Sequence, residues 1–213
     1  MVTSSVQGEG KSYVGANLAV AIAQAGEKVL LVDGDLRRSN LHRVFRLSNA
    51  SGLSGFLAAG RNIEDLGPLI QSTDVENLSL LTCGPRPPNP AELLNTPRLS
   101  AFLSWAGTQY DRVIVDCPPI FPISDALLWG KYINNCVFVS KFAKTRVPLM
   151  KTAAKQITSS GVKILGVVVN MSKFGGLAYS YYGSYYYKYN YHYNAEDPES
   201  PESSPRKSPA IKV

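Results

Sequence analysis

The chain has 213 residues, of which 45% are hydrophobic and 18% are charged. This composition is typical of a globular protein with one sizeable core and excludes a wholly disordered chain. The net charge of +6 suits phosphate-rich ligands or anionic surfaces without choosing between them. No apolar run reaches the ~18 residues of a membrane-spanning helix, and the first residues lack the pattern of a secretory signal. Three cysteines without C-x-x-C spacing favour a reducing compartment over a disulfide framework or a zinc site.

Predicted strands and helices alternate along most of the chain. Runs rich in Val and Ile predict strands at Lys28–Asp33, Asn77–Gly84, Asp111–Asp116, Asn135–Ser140 and Lys163–Asn170. Helical patterns cover Lys11–Gly26, Pro97–Gln109 and Arg146–Gly161, with a glycine at the end of the first and the third. Continuous apolar runs are typical of strands buried on both faces. The sequence therefore predicts an α/β fold with a doubly wound, mostly parallel sheet and ligands at the carboxyl ends of its strands.

The beginning of this fold is short. Only MVTSS precedes the first helical region and its glycine-rich loop, so the strand that feeds the loop is expected to be truncated. We expect Met1 to be an internal methionine of a longer coding sequence.

Two changes of composition follow the α/β region. Nine of the twelve tyrosines fall between residues 179 and 193. The last twenty residues are rich in Pro, Ser and Glu, and they hold too little apolar surface to offset their ordering entropy. We predict a domain over residues 1–178, a tyrosine cluster over 179–193 and a disordered tail over 194–213. The cluster has Lys188 as its one fixed positive charge, which argues against a nucleic-acid stacking platform.

Residues 5–12, SVQGEGKS, match the phosphate-loop pattern G-x-x-x-x-G-K-[ST] except that Ser5 takes the first position. Gly8 and Gly10 allow backbone N–H groups to surround a polyphosphate. Lys11 brings a positive charge to the β- and γ-phosphates, and Ser12 offers a hydroxyl to Mg²⁺. The following helix adds the positive end of its dipole. A glycine-rich turn that merely opens a helix is the alternative.

Aspartates stand at the ends of two predicted strands. Asp33 and Asp35 lie in LLVDGDLRR, and Asp116 lies in VIVDCPP. In a doubly wound sheet these ends lie beside the phosphate loop, where one Asp can hold Mg²⁺ and another can accept a proton from an attacking hydroxyl. Arg37 and Arg38 suit a phosphate or an acidic partner. A lone Asp is more often a turn or cap residue, but here three converge.

The series SSVQGEGKS, LLVDGDLRR and VIVDCPP resembles the Walker A, Walker A′ and Walker B motifs of the bacterial protein-tyrosine kinases of the CpsD/CapB and Wzc type. The stretches DLRRSNLHRVFRLSNASGLSGFL, PRPPNPAELLNTPRL and KTRVPLMKTAAKQI are similar to the same family, and YSYYGSYYYKYNYHY resembles its autophosphorylation cluster. The resemblance covers residues 2–193. It implies a P-loop NTPase fold of the MinD/ParA kind and an ATP-dependent, autophosphorylating protein-tyrosine kinase.

The resemblance also implies roles for single residues. Lys11, Asp33 and Asp35 would be catalytic, with Asp33 as the base. Ser12, Asp35 and Asp116 would hold Mg²⁺. The ATP-binding residues would be Gly8, Glu9, Gly10, Lys11, Ser12, Tyr13 and Asn170, the last beside the adenine. Arg37 and Arg38 would contact phosphate or a partner. The phosphorylated residues would be Tyr179, Tyr181, Tyr182, Tyr185, Tyr186, Tyr187, Tyr189, Tyr191 and Tyr193, each modified by a neighbouring subunit.

The implied partners are other copies of the chain, a protein-tyrosine phosphatase and a membrane activator. The activator would be a separate chain-length-determinant protein or a fused N-terminal membrane domain. The implied location is the cytoplasmic face of the bacterial membrane, with no nucleic-acid partner, and the implied process is capsule or exopolysaccharide synthesis and export.

Three residues depart from the family pattern. Gln7 stands where the family often has Pro, Tyr13 where it often has Thr, and Gly34 where Ala is frequent. None of these changes removes a phosphate- or metal-binding group. Two alternative functions remain at this stage: a non-catalytic nucleotide-binding regulator of polysaccharide export, and an ATPase of the ParA/MinD type. The latter carry a signature lysine where this chain has Val6.

Overall fold

A computed structural model, which describes residues 1–58, 63–123 and 125–172, contains one seven-stranded sheet within Met1–Ser172. Its strands are β1 (Val2–Ser4), β2 (Val29–Asp33), β3 (Ile70–Ser72), β4 (Leu78–Leu81), β5 (Arg112–Asp116), β6 (Asn135–Lys141) and β7 (Lys163–Asn170). They lie in the order β3-β4-β2-β5-β1-β6-β7. All neighbouring strands are parallel except β3 and β4. The predicted α/β fold with a mostly parallel sheet is confirmed.

Helices cover both faces of the sheet. They are α1 (Lys11–Gln24), α2 (Leu41–Val44), α3 (Leu53–Ala58), α4 (Pro90–Leu94), α5 (Pro97–Gln109), α6 (Asp125–Gly130) and α7 (Val147–Ser159), with a 3-10 helix at Ile63–Leu69. Gly26 and Gly161 follow α1 and α7 with φ of 93° and 84°, the left-handed conformation that ends helices. None of the helices in the described ranges is long and apolar enough to span a membrane. The tyrosine cluster and the tail lie outside the described residues, so the domain limits at 178 and 193 stay predictions.

The short strand β1 lies in the interior of the sheet, between β5 and β6. Its Val2 is in register with Asp116 of β5 and with Val137 of β6. Asp33 of β2 is in register with Asp116. The carboxyl ends of β1, β2 and β5 therefore lie side by side, and the loops that follow them form one site.

Two apolar layers hold the sheet between its helices. On one face, Ala16, Ala19 and Ala23 of α1 are buried against the sheet, and these small side chains let the helix lie close to the strands. On the other face the layer is built from large side chains, among them Phe102 and Trp129, which are fully buried. Because α1 is fixed along its length, the loop in front of it has a rigid base.

The strands are not all buried on both faces as predicted. All residues of β2 are buried, but β7 exposes 60% of Leu165, 51% of Val167 and 54% of Val169. The prediction is wrong for β7 because this strand lies at the edge of the sheet, and an apolar run does not reveal its place in the strand order. The sequence analysis also missed β3, whose short run IQS is too polar to be recognised.

Candidate functional site

The loop from Ser5 to Gly10 joins the interior strand β1 to α1. Gly8 and Gly10 have φ of 83° and 90°, a conformation that favours glycine. A Cβ on Gly10 would also lie 2.0 Å from Asn170 Nδ2. Gly10 is therefore required both by its backbone conformation and by the close approach of Asn170.

Lys11 lies at the first position of α1 and points toward the strand ends. Its Nζ is 3.2 Å from Asp35 Oδ2 and 3.5 Å from Asp116 Oδ1, and it donates to Ser12 Oγ at 3.3 Å. Burial disfavours the charged ammonium, but Asp116 and Asp35 outweigh this effect and raise the pKa of Lys11 above its ordinary value. The structure thus brings together the predicted phosphate lysine and the three predicted Mg²⁺ ligands.

Asp33 is fully buried at the end of β2. Its Oδ2 accepts hydrogen bonds from the N–H groups of Asn40 and Leu41, both at 3.0 Å, so it holds the start of α2. Its Oδ1 has no hydrogen-bond partner among the described residues. Burial and the nearby charge of Asp116 raise the pKa of Asp33 to about 7, against the opposing hydrogen bonds and Lys11. Asp33 is therefore poised to bind or release a proton near neutral pH.

Asp35, in the segment after β2, and Asp116, at the end of β5, both contact the lysine. Asp35 Oδ1 accepts from the N–H groups of Arg37 and Arg38 at 3.2 and 3.0 Å, which leaves Oδ2 for Lys11. Burial raises the pKa of Asp116, although Lys11 and a hydrogen bond from Ser12 act in the opposite direction. Asp116 Oδ1 is buried and has no hydrogen-bond partner among the described residues, where its contact is with Lys11 Nζ at 3.5 Å. Such an under-bonded oxygen suits a further cationic ligand.

The donor set of this centre fits Mg²⁺. No group of three or more His, Cys, Asp or Glu side chains in the described part of the chain is arranged to hold a metal. The predicted set instead combines two carboxylates with a hydroxyl. Mg²⁺ commonly takes one or two protein carboxylates and completes its shell with water and substrate phosphates.

Arg37 and Arg38 already have partners. Arg37 Nε donates to Asp125 Oδ2 at 2.6 Å, which joins the loop after β2 to α6. Arg38 donates to Gln7 Oε1, also at 2.6 Å, which joins the same loop to the phosphate loop. The sequence analysis missed both partners, because neither Gln7 nor Asp125 belongs to a recognisable motif with its arginine.

Gly34 lies where the backbone between the two aspartates meets the core. Trp129 Nε1 donates to the Gly34 carbonyl at 3.2 Å, and the Gly34 N–H donates to Asp116 O at 2.9 Å. A Cβ on Gly34 would lie 2.7 Å from Val115 Cγ1 and 3.0 Å from Trp129 Cζ2. The glycine at this position is therefore matched to the tryptophan behind it.

Two of the predicted ATP-binding residues face the body of the protein. The Glu9 carboxylate is buried and accepts from the Val6 N–H, from the Lys141 N–H at the end of β6 and from the Thr145 hydroxyl in the turn that follows. Asn170 Nδ2 donates to the Glu9 carbonyl at 3.0 Å. In this structure both side chains contact the back of the phosphate loop.

A cleft of about 620 Å³ opens beside the loop. One wall is polar, and the other is formed by the turn after β5. Asp35 lines the cleft, whereas the buried Asp33 and Asp116 do not. Tyr13, whose side chain is 68% exposed, stands in the cleft wall. The lining residues are Gln7, Gly8, Gly10, Lys11, Ser12, Tyr13, Asp35, Arg37, Arg38, Ser39, Asn40, Pro118, Pro119, Phe121, Pro122 and Ile123.

Comparison with known proteins assigns this site to a family. The profile of the ParA family, described as NUBPL iron-transfer P-loop NTPase, matches residues 1–182. The chain is 38% identical to the putative tyrosine-protein kinase CapB of Staphylococcus aureus, over 86% of this chain and 80% of CapB. The chain belongs to the bacterial tyrosine kinases. The kinase also matches the solved kinase domain of the Escherichia coli tyrosine kinase ETK, with 36% identity, a TM-score of 0.77, and coverage of 84% of this chain and 69% of that domain.

The kinase shares its fold with a septum site-determining protein. The septum site-determining protein MinD of Pyrococcus horikoshii, solved as a complex with Mg-ADP, matches at 26% identity and a TM-score of 0.69, over 82% of this chain and 70% of that one. The P-loop NTPase fold of the kinase implies nucleotide binding. The predicted P-loop fold and the predicted family are confirmed.

Proposed function

We propose that the kinase binds Mg–ATP over its phosphate loop and transfers the γ-phosphoryl group to tyrosines of the 179–193 cluster on a neighbouring copy of the chain. The observation that carries this proposal is the meeting of Lys11 with Asp35 and Asp116 beside an open cleft. One cation and several carboxylates at a helix N-terminus form a site for a polyphosphate with its metal.

The roles in the site follow from the chemistry of each group. Lys11 and the loop N–H groups would hold the phosphates, and Ser12, Asp35 and Asp116 would hold Mg²⁺. Bound there, Mg²⁺ would neutralise charge on the β- and γ-phosphates. With nucleotide bound, Lys11 would contact phosphate oxygens in place of its carboxylate partners Asp35 and Asp116, so its charge would stay compensated.

The acceptor hydroxyl needs a base, because a tyrosine phenol has a pKa near 10 and is neutral at pH 7. We assign this role to Asp33, whose Oδ1 has no hydrogen-bond partner in the described residues and whose pKa is about 7. A base near the working pH combines the correct protonation state with a useful driving force. Since Asp35 lines the cleft and Asp33 does not, Asp35 is the competing assignment.

The family resemblance supports partners beyond the chain itself. We propose a membrane activator, either separate or fused, that keeps the kinase at the cytoplasmic face of the membrane. We also propose a phosphatase that reverses the modification, and a role in capsule or exopolysaccharide synthesis.

The test uses the full chain and Mg–ATP. Intact mass and peptide mapping should show whole phosphates on residues 179–193, absent from a Lys11→Met variant. In a mixture, a mass-tagged Lys11→Met chain should gain phosphate from the unmodified chain, which would establish transfer between copies. Nucleotide binding without any phosphotyrosine, even with the membrane activator present, would instead favour the non-catalytic regulator.

A second comparison separates the two candidate bases. Asp33→Asn should keep Mg-ADP binding and lose phosphotyrosine formation, because it removes a proton acceptor but no proposed metal ligand. Asp35→Asn should weaken Mg-ADP binding. The reverse pattern would transfer the role of base to Asp35.

A further inference from the structure

We propose that Thr145 is a positioning residue for the phosphate loop: through the buried carboxylate of Glu9, its hydroxyl sets the curvature of the loop that receives the nucleotide. The inference rests on nucleotide binding at this loop and does not depend on which hydroxyl accepts the phosphate.

The first observation is the burial of Glu9, whose side chain belongs to the loop but is only 2% exposed. Its Oε2 accepts from the N–H of Val6 at 2.8 Å, a bond that closes the loop on itself. Its Oε1 accepts from the Thr145 hydroxyl and from the Lys141 N–H, the latter at 3.3 Å. The carboxylate therefore connects the phosphate loop to the turn that follows β6.

Electrostatics makes a direct ligand role for this carboxylate unfavourable. A buried carboxylate is costly unless hydrogen bonds compensate it. Its negative charge close to a phosphate site also repels the ligand that the site must bind. The charge of Glu9 opposes phosphate binding. We therefore infer that Glu9 favours binding through the shape that its hydrogen bonds give the loop.

The hydrogen bonds of Thr145 determine where its hydroxyl proton points. Its Oγ1 accepts from the Lys141 N–H at 3.2 Å, so its one proton is left for Glu9. The Thr145 N–H in turn donates to Lys141 O at 3.2 Å, which closes the turn. The turn thus presents two donors, one N–H and one hydroxyl, to a single carboxylate oxygen.

Asn170 reinforces the same loop from the end of β7. Its Nδ2 donates to the Glu9 carbonyl, and its own carbonyl accepts from Phe142 N at 2.9 Å. Both the side chain and the main chain of Glu9 are therefore held, immediately before Gly10. A loop held in this way has its remaining N–H groups oriented before the phosphates arrive, which lowers the entropic cost of binding.

The test compares Thr145→Val with Thr145→Ser in the full chain. Val keeps the shape and removes the hydroxyl, whereas Ser keeps the hydroxyl. Losing a hydrogen bond to a charged group should weaken Mg-ADP binding and raise KM for ATP by ~10-fold, with kcat changed less than KM. Ser should restore both values to within about twofold. Thr152→Val is the matched control, because the exposed Thr152 hydroxyl donates to Pro148 O within α7, and it should leave both values unchanged.

Thermal unfolding without nucleotide separates positioning from plain stability. A lower unfolding temperature for Thr145→Val with an unchanged Kd for Mg-ADP would overturn the inference, and so would a Thr145→Ser variant that behaves like Val. If the unmodified chain forms no phosphotyrosine, the proposed phosphorylation of the tyrosine cluster is wrong. The Kd values for Mg-ADP still decide the role of Thr145 in that case.

Glu9→Gln supplies a second variant in case Thr145→Val does not fold. Its amide nitrogen would face an N–H donor where the carboxylate now accepts, so Mg-ADP binding should weaken by more than 10-fold. Where both single variants fold, the double variant should bind no more weakly than Glu9→Gln, because the two residues act through one contact. Normal Mg-ADP binding by Glu9→Gln, or additive effects in the double variant, would contradict the proposal.

Discussion

At the scale of single residues, the phosphate loop contains one buried hydroxyl without a function in the described structure. Ser5 is fully buried and its Oγ has no hydrogen-bond partner, whereas the neighbouring Ser4 Oγ donates to Val6 O at 2.9 Å. An unsatisfied buried hydroxyl costs stability, and its removal is close to neutral or favourable. We expect Ser5→Ala to keep or raise the free energy of unfolding, and Ser4→Ala to lower it by ~1 kcal/mol. Denaturant unfolding of both variants measures this difference, and an equal loss in both would contradict it.

Asp33 should reduce stability at the pH at which it acts. The pKa of this acid is raised to about 7 in the folded chain, so the folded state binds more protons than the unfolded state between about pH 4 and pH 7. Below about pH 4 Asp33 is protonated in both states and does not reduce stability. As the pH rises from about 4 through 7, the unfolded state loses this proton first, and the free energy of unfolding falls. Asp33→Asn should raise the unfolding temperature of the nucleotide-free protein at pH 8, measured with a chelator present, and change it less at pH 5. An equal effect at the two pH values would contradict the assignment.

At the scale of elements, α6 and the segment after β2 are fitted to each other through Gly34 and Trp129. Because a Cβ on Gly34 would meet Trp129 and Val115 at 3.0 Å or less, Gly34→Ala should destabilise the fold by ~1–3 kcal/mol. A smaller ring should relieve part of this cost, so Trp129→Phe should be less harmful in the presence of Gly34→Ala than alone. Thermal unfolding of the two single variants and the double variant measures the coupling. Strict additivity would show that the two elements are not matched at this point.

At the scale of the whole molecule, three free cysteines report on the cooperativity of the sheet. Cys83 follows β4, Cys117 follows β5 and Cys136 lies in β6, and all three are buried. Burial, with a smaller effect from the negative charge of Asp33, raises the pKa of Cys83 to about 12. Burial raises the pKa of Cys136 to about 11. Since the thiolate is the reactive form, none should be alkylated in the native protein at pH 8.

The three thiols should then react together. If Met1–Ser172 unfolds as one unit, alkylation of all three cysteines should proceed at one common rate, and Mg-ADP should slow them equally by mass action. Mass spectrometry of the labelled peptides measures the three rates. Faster labelling of Cys83 alone would show that the β3–β4 side of the sheet opens separately.

The sequence alone predicted those parts of the site that depend on the local spacing of residues and on their position at strand ends. Lys11, Asp35 and Asp116 were predicted to meet, because parallel strands bring their carboxyl ends to one edge. Thr145 and Trp129 were missed because their contacts with Glu9 and Gly34 join residues more than ninety positions apart. Such contacts follow from the order of the strands, which an apolar run does not encode. The exposed face of β7 was missed for the same reason.

The interior position of β1 has a consequence for biosynthesis. This strand is synthesised before the other six strands of the sheet, yet both of its neighbours, β5 and β6, lie in residues 112–141. Until those residues emerge, the first strand has no partner, and the pairing requires closure of a loop of more than a hundred residues. Domains dominated by such distant pairings fold slowly, and their unpaired strands are prone to aggregate. A nascent chain that stops short of β6 therefore carries the phosphate-binding lysine without the sheet that would hold it, and nucleotide can assist only the last stage of folding.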